Sequence, residues 1–113
     1  MRFVVKVDND IVGFSELEGG DPPMGMAHGK FVPTEVYKSI QQHCNPEALQ
    51  PIPNISVELE GGQQIEHSGP IQIVDFGSKY GEVGIHIFID GIPYPLYGDL
   101  FPQYVAVYRN QFK

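Results

Sequence analysis

Gly19-Gly20-Asp21-Pro22-Pro23-Met24-Gly25-Met26-Ala27-His28-Gly29-Lys30-Phe31-Val32-Pro33 shows the hydrophobic period of neither a helix nor a strand. Its reading decides the fold, because strand-like alternation precedes it and helical spacing follows it. Read as a connection, it has Asp21-Pro22-Pro23 to force extended or reversed backbone, and Met24, Met26 and Phe31 as adaptable packing. It then links an N-terminal hairpin to a helix.

The hairpin lies on the N-terminal side. Arg2 to Asp8 alternates, with Phe3, Val5 and Val7 on one face. Ile11 to Leu17 follows after Asp8-Asn9-Asp10, short polar residues that tolerate left-handed dihedrals and favour a tight turn. On the C-terminal side Thr34 is an N-cap and Glu35 places its charge at the positive end of the helix dipole. Val36, Tyr37, Ile40 and Cys44 fall on one stripe at helical spacing, which predicts a helix packed on a sheet. Asn45-Pro46-Glu47 allows a further short turn of helix before Pro51 and Pro53.

Strands dominate beyond the helix. Ile55, Val57 and Leu59 alternate with Ser56, Glu58 and Glu60. A three-residue loop, Gly61-Gly62-Gln63, would set Leu59 opposite Ile65 and keep both on the buried face. Ile71 to Phe76 reads as the next strand, Gly77 to Gly81 as a turn, and Val83, Ile85, Ile87 and Ile89 as a β-branched central strand. Ile92 to Pro102 is too rich in proline for a central strand, and Tyr104 to Arg109 resumes alternation as a last strand. The expected architecture is a single α+β domain over residues 1–113: a mostly antiparallel sheet of about five to seven strands carrying one main helix.

Composition bounds the function. The 113 residues suffice for one core, and 13 Gly with 10 Pro favour strands and turns over long helices. A net charge of −7, with acids scattered along the chain, disfavours nucleic acid and anionic membranes, both of which need clustered Lys and Arg. The same charge suits a basic partner. A lone cysteine, Cys44, and a start that runs directly into a strand pattern predict a cytoplasmic protein, and no apolar run is long enough to span a bilayer.

Motifs for catalysis and cofactors fall short of their patterns. Gly25 to Lys30 has three residues between its outer glycines, and Phe31 follows Lys30 where a phosphate loop needs Ser or Thr. His28, His43, His67 and His86 are scattered, and the adjacent His43 and Cys44 point about 100° apart on a helix, so no metal site is expected. Cys44 near a helix C-terminus is not an activated thiol, and the serines lie in no nucleophile elbow. No catalytic residue and no cofactor are assigned.

Two segments remain as candidate contact surfaces. One is the opening stretch, with Asp21, Met24, Met26, His28 and Lys30. The other is Tyr94-Pro95-Leu96-Tyr97-Gly98-Asp99-Leu100-Phe101-Pro102, in which Tyr94, Tyr97, Asp99 and Phe101 offer rigid amphipathic area, and in which Leu96, Leu100 and Phe101 could equally cap the sheet. The expectation is a small acidic non-catalytic protein-interaction module that binds a basic protein, similar in size and charge alone to the small acidic inhibitors and immunity proteins of bacteria. The alternative is a small-molecule binder or small enzyme with its pocket between 19–33 and 92–102, using Asp21, His28, Lys30 and Asp99. Association into a homo-oligomer through a strand edge is a third arrangement the pattern permits.

Overall fold

The computed structural model describes residues 2–77 and 84–111. One antiparallel sheet contains β1 (Phe3–Val7), β2 (Asp10–Ser15), β5 (Val32–Pro33) and β6 (Ile55–Leu59), in the order β5-β2-β1-β6. The other contains β3 (Gly19–Asp21), β4 (Met26–Lys30), β7 (Ile71–Asp75) and β8 (Ile85–Ile89), in the order β3-β4-β8-β7. The class is α+β as expected, with eight strands among the described residues, in two sheets, rather than five to seven in one.

The N-terminal hairpin forms as read, and Asp8 and Asn9 take left-handed φ values of 52° and 72° at its turn. β8 is central in its sheet, between β4 and β7. The expected turn at 78–81, and Val83 of the expected strand, lie outside the described residues.

The stretch from Gly19 to Pro33 is not a loop. It pairs with itself in the second sheet, Gly20 opposite Ala27 and Asp21 opposite Met26, around a 3₁₀ turn at Pro22–Met24. Its end then pairs with β2 in the first sheet, Gly13 opposite Pro33 and Phe14 opposite Val32. β2 with β3, and β4 with β5, are therefore the two arms of one long hairpin that bends from one sheet into the other. At the bend Glu18 Oε1 accepts the Lys30 N–H at 2.8 Å, and Ser15 Oγ accepts the Leu17 N–H at 3.1 Å. These side chains stand in where the ladder is interrupted.

The period of this hairpin was hidden by residue size. Gly25, Ala27, Gly29 and Phe31 are buried, and Met26, His28 and Lys30 between them are more exposed. That is strand alternation written largely in small residues. They are small because neighbours approach closely: a Cβ on Gly29 would lie 2.9 Å from the Leu17 Cα, and one on Gly13 would lie 2.6 Å from the Val32 oxygen.

The helical segment after Thr34 is corrected in kind. Thr34 does cap it, accepting the Val36 N–H at 3.3 Å, but the segment is two 3₁₀ helices, Glu35–Ser39 and Gln41–Cys44. Three-residue hydrogen bonds run Tyr37 to Thr34, Ile40 to Tyr37 and His43 to Ile40. Tyr37, Ile40 and Cys44 are buried, but Val36, assigned to the same stripe, is exposed. The tighter three-residue winding turns position 36 away from the core.

The expected last strand is a helix. α1 (Leu96–Leu100) and α2 (Pro102–Asn110) close one end of the molecule, with Pro102 at the helix start where its missing N–H is harmless. Phe101 is buried and Tyr104 and Val105 are half-buried, a three-and-four spacing, whereas residues 106–110 are exposed. In so short a segment the alternation of valines was a coincidence of composition. The loop after β6 also differs: it is Glu60-Gly61-Gly62, and the Ile65 N–H reaches the Val57 oxygen at 2.8 Å, so Ile65 lies beside Val57 and not opposite Leu59.

One hydrophobic cluster runs through both sheets and both helical caps. At the α1 end, Phe3 and Phe101 rings lie 5.8 Å apart; at the 3₁₀ end, Phe31 and Tyr37 rings lie 5.6 Å apart. Among the described residues no helix is long and apolar enough to cross a membrane.

Candidate functional site

The two segments singled out in the sequence are joined in space. The Ile92 N–H donates to the Gly25 oxygen at 2.9 Å, the Tyr94 hydroxyl to the Pro22 oxygen at 3.0 Å, and the Tyr97 hydroxyl to the Met26 oxygen at 2.8 Å. Gly25 has a left-handed φ of 61°, and a Cβ there would lie 2.6 Å from the Ile92 oxygen. Glycine at this position serves close backbone approach, the role that its resemblance to a phosphate loop obscured.

Met24 and Tyr94 flank the outer side of this junction. They border an open hollow of about 400 Å³ with Pro23, Glu66, His67 and Pro93. Met24 is 66% exposed and Tyr94 54% exposed. Tyr94 is nevertheless positioned, by its hydroxyl and by the Tyr97 ring 5.5 Å away. Glu66 and His67 come from a segment whose sequence carries no pattern; only the return of the chain beside Gly91 brings them here.

The remaining candidates disperse. Tyr97 and Phe101 are core residues, 0% and 2% exposed, and cannot serve as contact area; of the two readings of this segment, capping is what they do. Burial, then the neighbouring Tyr94 and Tyr104 rings, hold the Tyr97 hydroxyl well above its ordinary pKa. Asp21, Met26 and His28 border a different hollow, of about 520 Å³, against Tyr104 and Val107 of α2. Lys30 borders a third with Arg2, Phe14 and Glu18. Asp99 is exposed on α1 and borders none of these. Of the four polar groups assigned to a pocket between 19–33 and 92–102, Asp21 and His28 share one hollow, and Lys30 and Asp99 lie apart from it.

No protein-family model, curated protein or solved structure matches this chain. Its chemistry must be read from its own side chains.

Cys44 is buried, its Sγ lies 3.5 Å from the Ile40 oxygen, and burial pushes its thiol pKa up. Such a thiol is a poor nucleophile at neutral pH. Nearby, the buried Tyr37 donates to Asp75 Oδ2 at 2.7 Å; burial first, and then this hydrogen bond, raise its pKa far above the ordinary range. The Gln41 amide adds a longer contact to the same oxygen, 3.3 Å, and Asp75 Oδ1 accepts the Gly77 N–H at 2.8 Å. Asp75 is thus engaged at both oxygens in tying the 3₁₀ segment to β7. Among the described residues no three His, Cys, Asp or Glu side chains are grouped to hold a metal ion.

Proposed function

We propose that this chain is a protein-interaction module acting without catalysis, and that it engages a partner bearing basic and apolar side chains through Met24 and Tyr94. One observation carries the reading: an exposed methionine and an exposed tyrosine border the same open hollow, on a junction whose two segments are tied to each other by three hydrogen bonds. A positioned aromatic ring beside an adaptable thioether is what interface centres are made of, because the ring has little side-chain freedom left to lose on binding and the thioether can conform to the partner. Glu66 at the rim and the net charge of −7 favour a basic partner and accelerate its approach.

Affinity capture from the source organism's extract, followed by mass spectrometry, tests this. A specific basic protein should be recovered by the wild type and by Val107→Ser, an exposed change elsewhere, and lost with Met24→Ala plus Tyr94→Ala. Capture should also weaken as salt is raised. Undiminished recovery by the double variant excludes this surface.

A further inference from the structure

The seam between the two sheets holds a further hollow with different chemistry. β6 and β7 are edge strands that do not pair with each other. Between them lies a cavity of about 490 Å³ walled by Ile52, Ile55, Ile71 and Ile73, with His43 and His67 at its sides. Among the described residues no Asp, Glu, Lys or Arg borders it, in a chain of net charge −7. Its size falls within the range of small-molecule sites, about 300–1,000 Å³.

Polar groups without partners face this seam or border it. Asp90 bonds to the Pro70 oxygen at 3.1 Å and Phe76 to the Gly84 oxygen at 2.9 Å, which fixes the alternation of the β7–β8 ladder. Even-numbered residues of β7 therefore bond to β8, and Ile71 and Ile73 turn their N–H and C=O groups away from it. On that side neither makes a hydrogen bond among the described residues. His43 Nδ1 is buried and likewise has none. Buried polar atoms in native proteins are nearly always partnered, so the unpartnered His43 Nδ1 beside the free edge of β7 is informative. His67 adds a directional group: its Nδ1 lies 2.8 Å from the Gly69 oxygen, an acceptor only, so Nδ1 carries the proton and Nε2 of the neutral ring is an acceptor.

We infer that this seam binds an uncharged small molecule with an apolar body and at least one hydrogen-bonding group. The isoleucines supply the apolar wall, and His43, His67 and the free edge of β7 supply orientation. A charged ligand would lose its hydration with no ion to receive it there. The site is separate from the Met24–Tyr94 surface, although His67 borders both hollows.

The test uses isoleucine-methyl NMR of the full chain, titrated with indole as the neutral probe and with benzoate and benzylammonium as charged ones. Indole should shift Ile52, Ile55, Ile71 and Ile73 saturably and leave Ile11 and Ile92 in place. His43→Phe, which keeps a ring and removes Nδ1, should weaken indole about three- to tenfold. Met24→Ala should leave it unchanged, so failure here is distinct from failure of the interaction surface. The inference is overturned if indole gives no saturable shift, if the shifts centre on Ile92, or if benzoate or benzylammonium binds the wild type as tightly. The wild-type comparison stands even if the His43 variant does not fold.

Discussion

Tyr97 of α1 donates its hydroxyl hydrogen to the backbone oxygen of Met26 in β4, 2.8 Å away, although 71 residues separate them in the chain. The ring is fully buried and packs 5.2 Å from Phe101. Tyr97→Phe keeps the packing and strands the Met26 oxygen, so it should cost about 1–3 kcal/mol in urea denaturation. Tyr94→Phe, whose ring is half-exposed, should cost less than about 1 kcal/mol because water can replace the lost bond. Equal costs for the two would mean that the buried hydroxyl does not anchor the cap.

Alkaline pH should destabilise the fold. Burial holds the protons of Tyr37, Tyr97, Tyr104 and Cys44 to a higher pH than in the unfolded chain. The unfolded thiol and phenols ionise near their ordinary values, about 8.5 and about 10. Above those values the unfolded state binds fewer protons than the native one, so stability falls as pH rises; below them these groups contribute no slope. Urea midpoints measured from pH 7 to 11 should stay level with respect to these groups and then decline, less steeply in Tyr37→Phe than in wild type. A midpoint that rises between pH 9 and 11 would contradict the assignment.

The glycines divide into those that bear on packing and those that do not. Gly25→Ala must accept both a left-handed φ of 61° and a Cβ 2.6 Å from the Ile92 oxygen, which is backbone and cannot swing aside. It should cost more than about 1 kcal/mol. Gly61→Ala meets nothing within 4 Å and should change stability by less than about 0.5 kcal/mol. Thermal melts of the two variants side by side give the comparison.

Peroxide should distinguish the methionines. Met24 is exposed and Met26 only partly so, its backbone locked by Tyr97. Peptide mapping after brief oxidation of the native protein should find sulfoxide at Met24 well before Met26. Protection of Met24 would remove the thioether from the proposed contact surface.

Much of the strand content was legible because its pattern depends on side-chain polarity alone. In β1 Phe3, Val5 and Val7 are buried as its alternation reads, and so are Val57 of β6, Ile71 and Ile73 of β7, and Ile87 and Ile89 of β8; β2 departs from the pattern, with Ile11 exposed and Ser15 buried. Thr34 was legible as a cap because its role is local, satisfied by the Val36 N–H two residues on. The Met24 and Tyr94 surface was half legible: both residues stood out by type, and nothing in the sequence could separate Tyr94, exposed, from Tyr97, buried.

The sequence by itself determined the α+β class, the antiparallel pairing near the N-terminus and the acidic surface, since local alternation, turn chemistry and charge require no partner to be read. Tertiary structure alone decided that Gly19 to Pro33 forms the tip and parts of both arms of the hairpin that links the two sheets. Its inward positions are small because Leu17 presses against Gly29 and Ile92 against Gly25, and a glycine chosen for close approach looks, in sequence, the same as one chosen for a loop. Tertiary structure likewise brought both His43 and His67 to the border of the seam cavity, because the neighbours that make a cavity come from strands and turns far apart in the chain.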